Sequence, residues 1–438
     1  MMKRILYLFI LIGFCVACQD DNSFSAASGL RLTFGEDTLK MDTVFSRSSS
    51  STHAFWVYNN NDDGLRLKTV RLARRNQSGF RVNVDGLYLD NSNGSQVNDL
   101  EIRRKDSLLV FVELTPPETG QKGPQMVEDR LVFTLESGLE QHVVLRAWAW
   151  DAQRLTDLTI SRDTVIETSV PLIVTGQLTV TEGTTLTLRN TTLYFHDQAG
   201  INVHGTLLTE HCLLRGDRLD WMFDYLPYDR ISGQWGGIRI HETSIRNMLL
   251  DTEIRNATDA VVCDSAAIEE GVMRLTMTNC TVHNAKGFGI QANHASVLLD
   301  HCQLTNTLGH CISINGGTAV ISYCTLGQFY PFSADRGLAL YFHRPQSLHC
   351  EGSIVTGYAE NVVSEISPED SGKLLFTNSL LRSAKKDTTN VEAYKDIRWE
   401  SPEDSVQGTK HFVKIDENNF VYDFHLDSLS TAKGLGCY

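Results

Sequence analysis

Apolar and polar positions alternate at period two along most of this chain, in two distinct styles. From Gly29 to about Ala152 the runs are short and unrelated to one another. Examples are Leu30-Arg31-Leu32-Thr33-Phe34, Ala54-Phe55-Trp56-Val57-Tyr58, Phe80-Arg81-Val82-Asn83-Val84, Leu108-Leu109-Val110-Phe111-Val112 and Val143-Val144-Leu145-Arg146-Ala147-Trp148. Turn-rich stretches such as Asn59-Asn60-Asn61-Asp62-Asp63-Gly64 and Asn91-Ser92-Asn93-Gly94 separate them. Alternate strand side chains face opposite sides of a sheet, so this pattern predicts an antiparallel β-sandwich. Residues 29–152 suit one immunoglobulin-like domain. They contain no cysteine, which excludes an inter-sheet disulfide.

The second style is a repeat. Leu275-Thr276-Met277-Thr278-Asn279-Cys280-Thr281-Val282-His283-Asn284 aligns without gaps on Val297-Leu298-Leu299-Asp300-His301-Cys302-Gln303-Leu304-Thr305-Asn306. Both align on Ala319-Val320-Ile321-Ser322-Tyr323-Cys324-Thr325-Leu326-Gly327-Gln328. The period is 22 residues, and the phase continues outward with six-residue insertions: Ile254 to Val282 and Leu326 to Ile354 are each 28 apart. A second strand phase runs through Ile240, Val262, Ile290, Ile312, Leu340 and Val362, with offsets alternating between 22 and 28. Twenty-two residues of period-two pattern, rich in Thr, Val and Ile, hold three short strands and three corners. The chain is therefore expected to be all-β, the sandwich being followed by a right-handed parallel β-helix over residues 164–384. Residues 385–438 are expected to cap its open end, which would otherwise be an aggregating edge.

Stacking equivalent residues about 4.8 Å apart turns each repeat position into a column. Cys280, Cys302 and Cys324, with Cys212, form an inward thiol column; Asn256, Asn284, Asn306 and Gln328 form an amide column at a corner. There are ten cysteines, but the column spacing exceeds the usual disulfide separation. The column cysteines form no C-x-x-C and have no alternating His set, so neither a metal nor a cofactor is expected. The column preceding the thiols is polar: Asp251, Asn279, His301, Tyr323 and Glu351. It reads either as a solvated corner or as a glycan groove in which His301 and Tyr323 stack on sugars. An insertion from Arg215 to Gly233 carries Trp221, Phe223, Tyr225 and Tyr228. Trp221 and Tyr225 are its candidate sugar contacts; alternatively the insertion folds over outward apolar residues such as Leu298, Val320 and Leu348.

Composition adds limits. The formal charge of −14 excludes a general nucleic-acid surface. Lys3 and Arg4 precede an apolar run from Ile5 to Phe14, the length of a signal-peptide core and too short to span a bilayer. The run ends in Cys15-Val16-Ala17-Cys18, which resembles a bacterial lipobox. That resemblance implies a signal peptide over 1–17, acylation of Cys18, and a polar tether over 18–28, with the membrane as a partner through the lipid. Asp20-Asp21 after that cysteine resembles the surface-export signal of Bacteroidetes lipoproteins, implying an outer-membrane, surface-exposed location.

Several segments resemble the right-handed β-helix lipoproteins of Bacteroidetes: Asp37 to Phe45 with Asn83-Val84-Asp85-Gly86, the stretch from Leu172 through Gly233-Gln234-Trp235-Gly236-Gly237-Ile238, and Asp423 to Ser430. That family is defined by architecture more than by activity. Two enzyme readings fail on the residues. Gly309-His310-Cys311-Ile312-Ser313-Ile314 resembles a polygalacturonase segment, but the preceding strand, Gly289-Ile290-Gln291-Ala292-Asn293, lacks the carboxylates that glycoside hydrolysis requires. A calcium-dependent lyase needs stacked acids, and Asp251 and Glu351 are four turns apart, roughly 19 Å. No catalytic residue is assigned. The expected function is binding of extended glycans or matrix polymers without catalysis. A polysaccharide lyase or glycoside hydrolase, and a rigid spacer in an envelope assembly, are the alternatives.

Overall fold

The computed structural model describes residues 23–268, 271–367, 370, 372–384, 390–400 and 408–438. The protein is all-β, and it divides into two compact units at Asp151.

The first unit is a sandwich of two five-stranded sheets. One sheet orders Thr33–Phe34, His53–Tyr58, Ser107–Leu114, Phe80–Val84 and Leu87–Tyr88, all antiparallel. The other orders Thr38–Phe45, Glu140–Trp150, Gln125–Leu135, Leu65–Leu72 and Gln96–Ile102, with its first pair parallel. Alternation determines the inner faces: Leu108, Val110, Val112 and Leu114 of one strand meet Leu131, Phe133 and Leu135 of the other sheet in one core. Each such side chain contributes about 1.5–3 kcal/mol on burial. The asparagine-rich turn is held from within. Asn59 is fully buried, and its Nδ2 donates to the carbonyls of Asp63, Ile102 and Arg103 at 2.9, 3.1 and 3.0 Å.

The second unit is the parallel β-helix. The coils build three parallel sheets, of eleven, eight and ten strands, one strand per sheet in each coil up to Leu340–His343, after which only the first and third sheets add strands. The first coil is Gln153–Thr156, Thr159–Ile160 and Thr164–Glu167, and these begin the first, second and third sheets. The coil thus starts before Thr164, because an end coil buries little: only Ile160 of these strands is buried, and periodicity has nothing to mark. At the other end Tyr394–Lys395 and Arg398–Glu400 still stack on the third and first sheets, so the helix runs past residue 384.

The three aligned lines hold in register, with Val282, Leu304 and Leu326 stacked on one another. Several other joins are one residue longer than the 22/28 rhythm, one of them Val262 with Gln291 rather than Ile290. Leu326 pairs with Val355 rather than Ile354, and Ile240 with Cys263 rather than Val262. A one-residue slip exchanges the faces of a strand, so Cys263 faces inward and Val262 outward. Inside, Met277, Leu299, Ile321, Cys350 and Phe376 form one fully buried column.

The corner between third and first sheets has one construction from His211 to Ser379. Its first residue is left-handed: His211, Asp251, Asn279, His301, Tyr323, Gly352 and Asn378 all have φ between 41° and 59°. The next residue turns inward and donates to the carbonyl two residues before it. Cys212, Cys280, Cys302 and Cys324 do this through Sγ at 3.3 Å. Thr252, Ser353 and Ser379 do it through Oγ at 2.8 Å. The cysteines are hydroxyl equivalents at a buried turn. The eight described cysteines are all free thiols.

Residues 408–438 do not close the end of the coil; they lie along the outer face of the first sheet. The hairpin Phe412–Asp416/Val421–Leu426 packs Phe412 and Phe424, with Ala432 and Leu435, on Phe329, Ile354 and Leu380. Cys437 N–H donates to Thr325 Oγ1 at 3.2 Å and Tyr438 O–H to Gln303 Oε1 at 2.9 Å. Gln303–Thr307, Thr325–Gln328 and Ile354–Gly357 are consequently buried on both faces. The covered positions are small, Thr305, Gly327 and Thr356 in one register column, which leaves room for the segment. A buried ion pair anchors it: Arg382 Nη1 lies 3.2 Å from Glu400, which accepts from Thr356 at 2.8 Å and lies 2.8 Å from His411 Nε2.

Candidate functional site

The residues singled out in the sequence fall on different corners of the coil. Cys18 lies outside the described residues. His301 and Tyr323 occupy the left-handed corner, their rings stacked at 5.2 Å and 17°. The other face of Tyr323 lies over the next coil: a β-carbon built on Gly352 would sit 2.6 Å from its ring. Tyr323 thus has both faces occupied within the protein, and the pair offers edges rather than a sugar-stacking platform. The column also continues differently, through Gly352 to Asn378, because Glu351 pairs with Ser322 and Thr377.

Trp221 and Tyr225 belong to a small hairpin, Trp221–Phe223 with Leu226–Pro227. Tyr225 is 71% exposed and stacks on Phe223 at 5.7 Å. The insertion is tied to the first sheet through Asp229, which pairs with Arg215 and Arg255, and through Asn256 Nδ2, which donates to the Asp229 carbonyl. Leu298 and Val320, which it was expected to cover, face outward from the third sheet, and Leu348 faces the interior. The returning Gly233-Gln234-Trp235-Gly236-Gly237-Ile238 segment has a packing role. Trp235 enters the coil and stacks on Phe195 at 4.1 Å, its Nε1 donating to the Arg255 carbonyl. Gly237, at φ 97°, lies where any β-carbon would overlap the Asp259 carbonyl.

The face that gathers polar side chains is the outer face of the second sheet. Its strands Gly200–Val203, Gly237–Ile240, Val261–Cys263, Ile290–Asn293, Ile312–Asn315 and Leu340–His343 stack in register. One outward column reads Asn202, Arg239, Val262, Gln291, Ser313, Tyr341. Two residues on, the next reads His204, His241, Asp264, Asn293, Asn315, His343. Period two and parallel register alone bring these side chains together. The expected pairing of Ile240 with Val262 conceals them, because it places Val262 inward and breaks both columns at one coil.

Contacts run along the columns. Asn315 Nδ2 donates to Asn293 Oδ1 at 3.1 Å and to Ser313 Oγ at 3.2 Å. His204 and His241 are stacked at 4.0 Å and 8°. His241 Nδ1 lies 3.3 Å from Asp264 and its Nε2 lies 3.1 Å from Asn202 Oδ1; Arg239 Nε donates to the same Asp264 oxygen at 2.9 Å. Burial and the neighbouring His204 hold His241 below the ordinary histidine range. At the entry edge His310 lies flat on Tyr341, 4.4 Å and 6°, with Phe288 tilted beside it at 5.7 Å. Its Nδ1 accepts from Leu338 N–H at 2.8 Å, which leaves the ring proton on Nε2, and burial keeps the ring neutral. The face therefore offers mainly neutral amides, hydroxyls and rings, with its one column carboxylate, Asp264, neutralised by Arg239. Among the described residues, no three His, Cys, Asp or Glu side chains are grouped to hold a metal ion.

No protein-family model matches the sequence, and no curated protein matches it. Among solved structures, the catalytic unit of a thermostable GH87 α-1,3-glucanase from Streptomyces thermodiastaticus strain HF3-3 is similar over 85% of this chain and 97% of its own, at 10% identity and a TM-score of 0.27. A protein of unknown function from Porphyromonas gingivalis W83 is similar over 30% of this chain, at 12% identity and a TM-score of 0.20; this chain spans 60% of its length. A family 123 glycoside hydrolase from Clostridium perfringens is similar over 30% of each chain, at 6% identity and a TM-score of 0.20. Likenesses this distant carry no argument about activity, and function rests on the site.

Proposed function

We propose that this chain is a lipid-anchored protein of the outer membrane, exposed at the cell surface, whose β-helix binds extended glycans along its second sheet without cleaving them. The family resemblance and Cys18 support the anchor. The observation that carries the binding reading is the unbroken pair of outward columns. Asn202, Gln291, Asn293 and Asn315 present hydrogen-bonding groups along the coil, beside the His310–Tyr341 ring stack, with the buried Ser313 accepting from Asn315. A polymer lying along the coil axis meets a polar side chain at most steps, and a rigid sheet positions these groups without an ordering cost.

One observation favours a lyase instead. His241 is held below the ordinary histidine range with Nδ1 beside Asp264, and it would serve as a general base once Nε2 leaves Asn202 Oδ1. Incubating the mature protein with a panel of polysaccharides, with and without Ca²⁺, separates the two. Retention of a polymer with no new reducing or unsaturated ends is the expected result. New ends that disappear in His241→Gln would replace binding by catalysis, and loss of all retention would end both readings.

A further inference from the structure

A second polar site lies on the first sheet, in a cleft of about 510 Å³ between the insertion and the C-terminal segment. Its floor is built by register: Glu253, Thr281 and Gln303 share one column, with Arg255 and His283 two residues on. The insertion adds Asp229 and Arg230, and the C-terminal segment adds Tyr422, Asp423 and Tyr438.

The carboxylates of this cleft are already engaged. Asp229 pairs with Arg215 and Arg255, each at 3.1 Å. Glu253 pairs with Arg255 Nη2 at 2.6 Å, and Asp423 with His425 at 2.7 Å. Burial raises the Asp229 carboxyl, but Arg215, Arg255 and Arg230 outweigh it and hold the group below its ordinary range. Asp229 therefore stays ionised and is no proton donor. What remains unmatched is donor capacity. Arg255 Nε and Tyr422 Oη are buried in the cleft without a hydrogen-bond partner. Arg230 reaches Asp229 only at 3.7 Å. Burial raises the Tyr422 hydroxyl, so it remains a donor. Buried donors of this kind are costly unless an acceptor meets them.

From this geometry we infer that the cleft binds an oxyanion, a carboxylate or sulfate borne on a sugar, through Arg230, Arg255 Nε and Tyr422 Oη. The oxyanion follows from these donors, whereas the sugar that carries it rests on the glycan reading above. The site is separate from the second-sheet face and gives the protein a charge preference that the neutral columns lack. Guanidinium hydrogen bonds to an oxyanion are about twice as strong as neutral ones.

Calorimetric titration of the mature protein tests it with four probes: a uronic acid hexasaccharide, its methyl ester, a sulfated hexasaccharide, and sodium sulfate. Expected is binding of the acid or the sulfated chain at least about tenfold tighter than the ester, weakening as ionic strength rises. Arg230→Gln should lower affinity for the charged chain about tenfold and Tyr422→Phe about threefold, with melting temperatures unchanged and retention of a neutral polymer unaffected. The same variant dependence for sodium sulfate would locate the oxyanion itself. Equal affinity for acid and ester, or an Arg230→Gln protein that binds the charged chain as wild type does, overturns the anion site but leaves the second-sheet reading standing. Failure of all four probes to bind overturns the anion site whatever the neutral polymers do.

Discussion

Phe424 lies on Gly327: a β-carbon built at residue 327 would sit 3.0 Å from the Phe424 ring, with Thr305 and Phe329 also within 3.3 Å. Gly327 is the gap in a column of the first sheet, and the C-terminal segment is keyed into it. Gly327→Val should therefore unseat residues 408–438 while the coil persists. Overpacking of this kind costs about 1–3 kcal/mol. Limited proteolysis checks it: the variant should lose its C-terminal segment early and retain a resistant fragment. Wild-type resistance in the variant would show that the segment is held elsewhere.

The buried ion pair gives a second test. Arg382 and Glu400 are at most 1% exposed, so removing one partner strands the other charge. Arg382→Met should cost about 3–5 kcal/mol, whereas Arg382→Met with Glu400→Leu should recover most of that loss. Urea unfolding of the three proteins measures both numbers, and a double variant as weak as the single one would place the stabilisation in the other partners of Glu400 rather than in the pair.

Much of this fold is legible in the sequence, and the limits have physical causes. The coil is readable because its interior imposes period two and its corners impose a fixed residue order, most clearly at Cys280, Cys302 and Cys324. The end coils are not, because Gln153–Thr156 buries almost nothing. The second-sheet columns hide behind one register step, since Ile240 pairing with Cys263 rather than Val262 reverses which side chains face out. The stacking of His301 on Tyr323 follows from the repeat, but that Gly352 then covers the far face of Tyr323 depends on a loop whose length the repeat does not reveal. The first-sheet cleft joins Asp229, Arg255 and Tyr422 from three distant segments, and no local pattern signals such a meeting.

Tyr323 and Gly352 should be energetically coupled. Gly352→Ala adds a methyl at φ 59°, 2.6 Å from the Tyr323 ring. Its cost has two parts: about 1–2 kcal/mol for a left-handed L-residue, and a steric part that depends on Tyr323. In a Tyr323→Ala background only the first part should remain. A double-mutant cycle by thermal unfolding reads the difference, expected to exceed about 0.5 kcal/mol. Additive costs would mean that the ring moves aside freely.

His283 makes stability depend on pH with a definite sign. Burial, then Arg230 and Arg255, lowers its pKa to about 3. The unfolded chain takes up a proton near pH 6.5, and the folded protein does so only near 3. The contribution is complete above pH 6.5 and is lost as pH falls from 6.5 towards 3, by up to about 1.4 kcal/mol per pH unit. Other acidic groups titrate in this window too, so the comparison is with His283→Gln. Denaturation at pH 7, 6, 5 and 4 should show the wild type losing stability faster than the variant. Parallel pH profiles would mean that His283 titrates normally in the fold.

The thiol column should behave as a hydroxyl column, because its chemistry is hydrogen bonding at a turn. Cys302 N–H donates to Cys324 Sγ at 3.4 Å, as Cys324 N–H donates to Ser353 Oγ at 3.0 Å and Ser353 N–H to Ser379 Oγ at 3.1 Å. Cys324 Sγ in turn donates to the Ser322 carbonyl. Cys324→Ser keeps both bonds with the atom that the next two coils already use, and should cost less than about 1 kcal/mol. Cys324→Ala is also small and apolar, yet it leaves the buried Cys302 N–H without its acceptor, at about 1–3 kcal/mol. Packing alone predicts the opposite order, since alanine is the more apolar replacement. Chemical denaturation of the two variants therefore distinguishes a turn-forming donor and acceptor from a filler, and an alanine variant as stable as the serine one would reduce the column to packing.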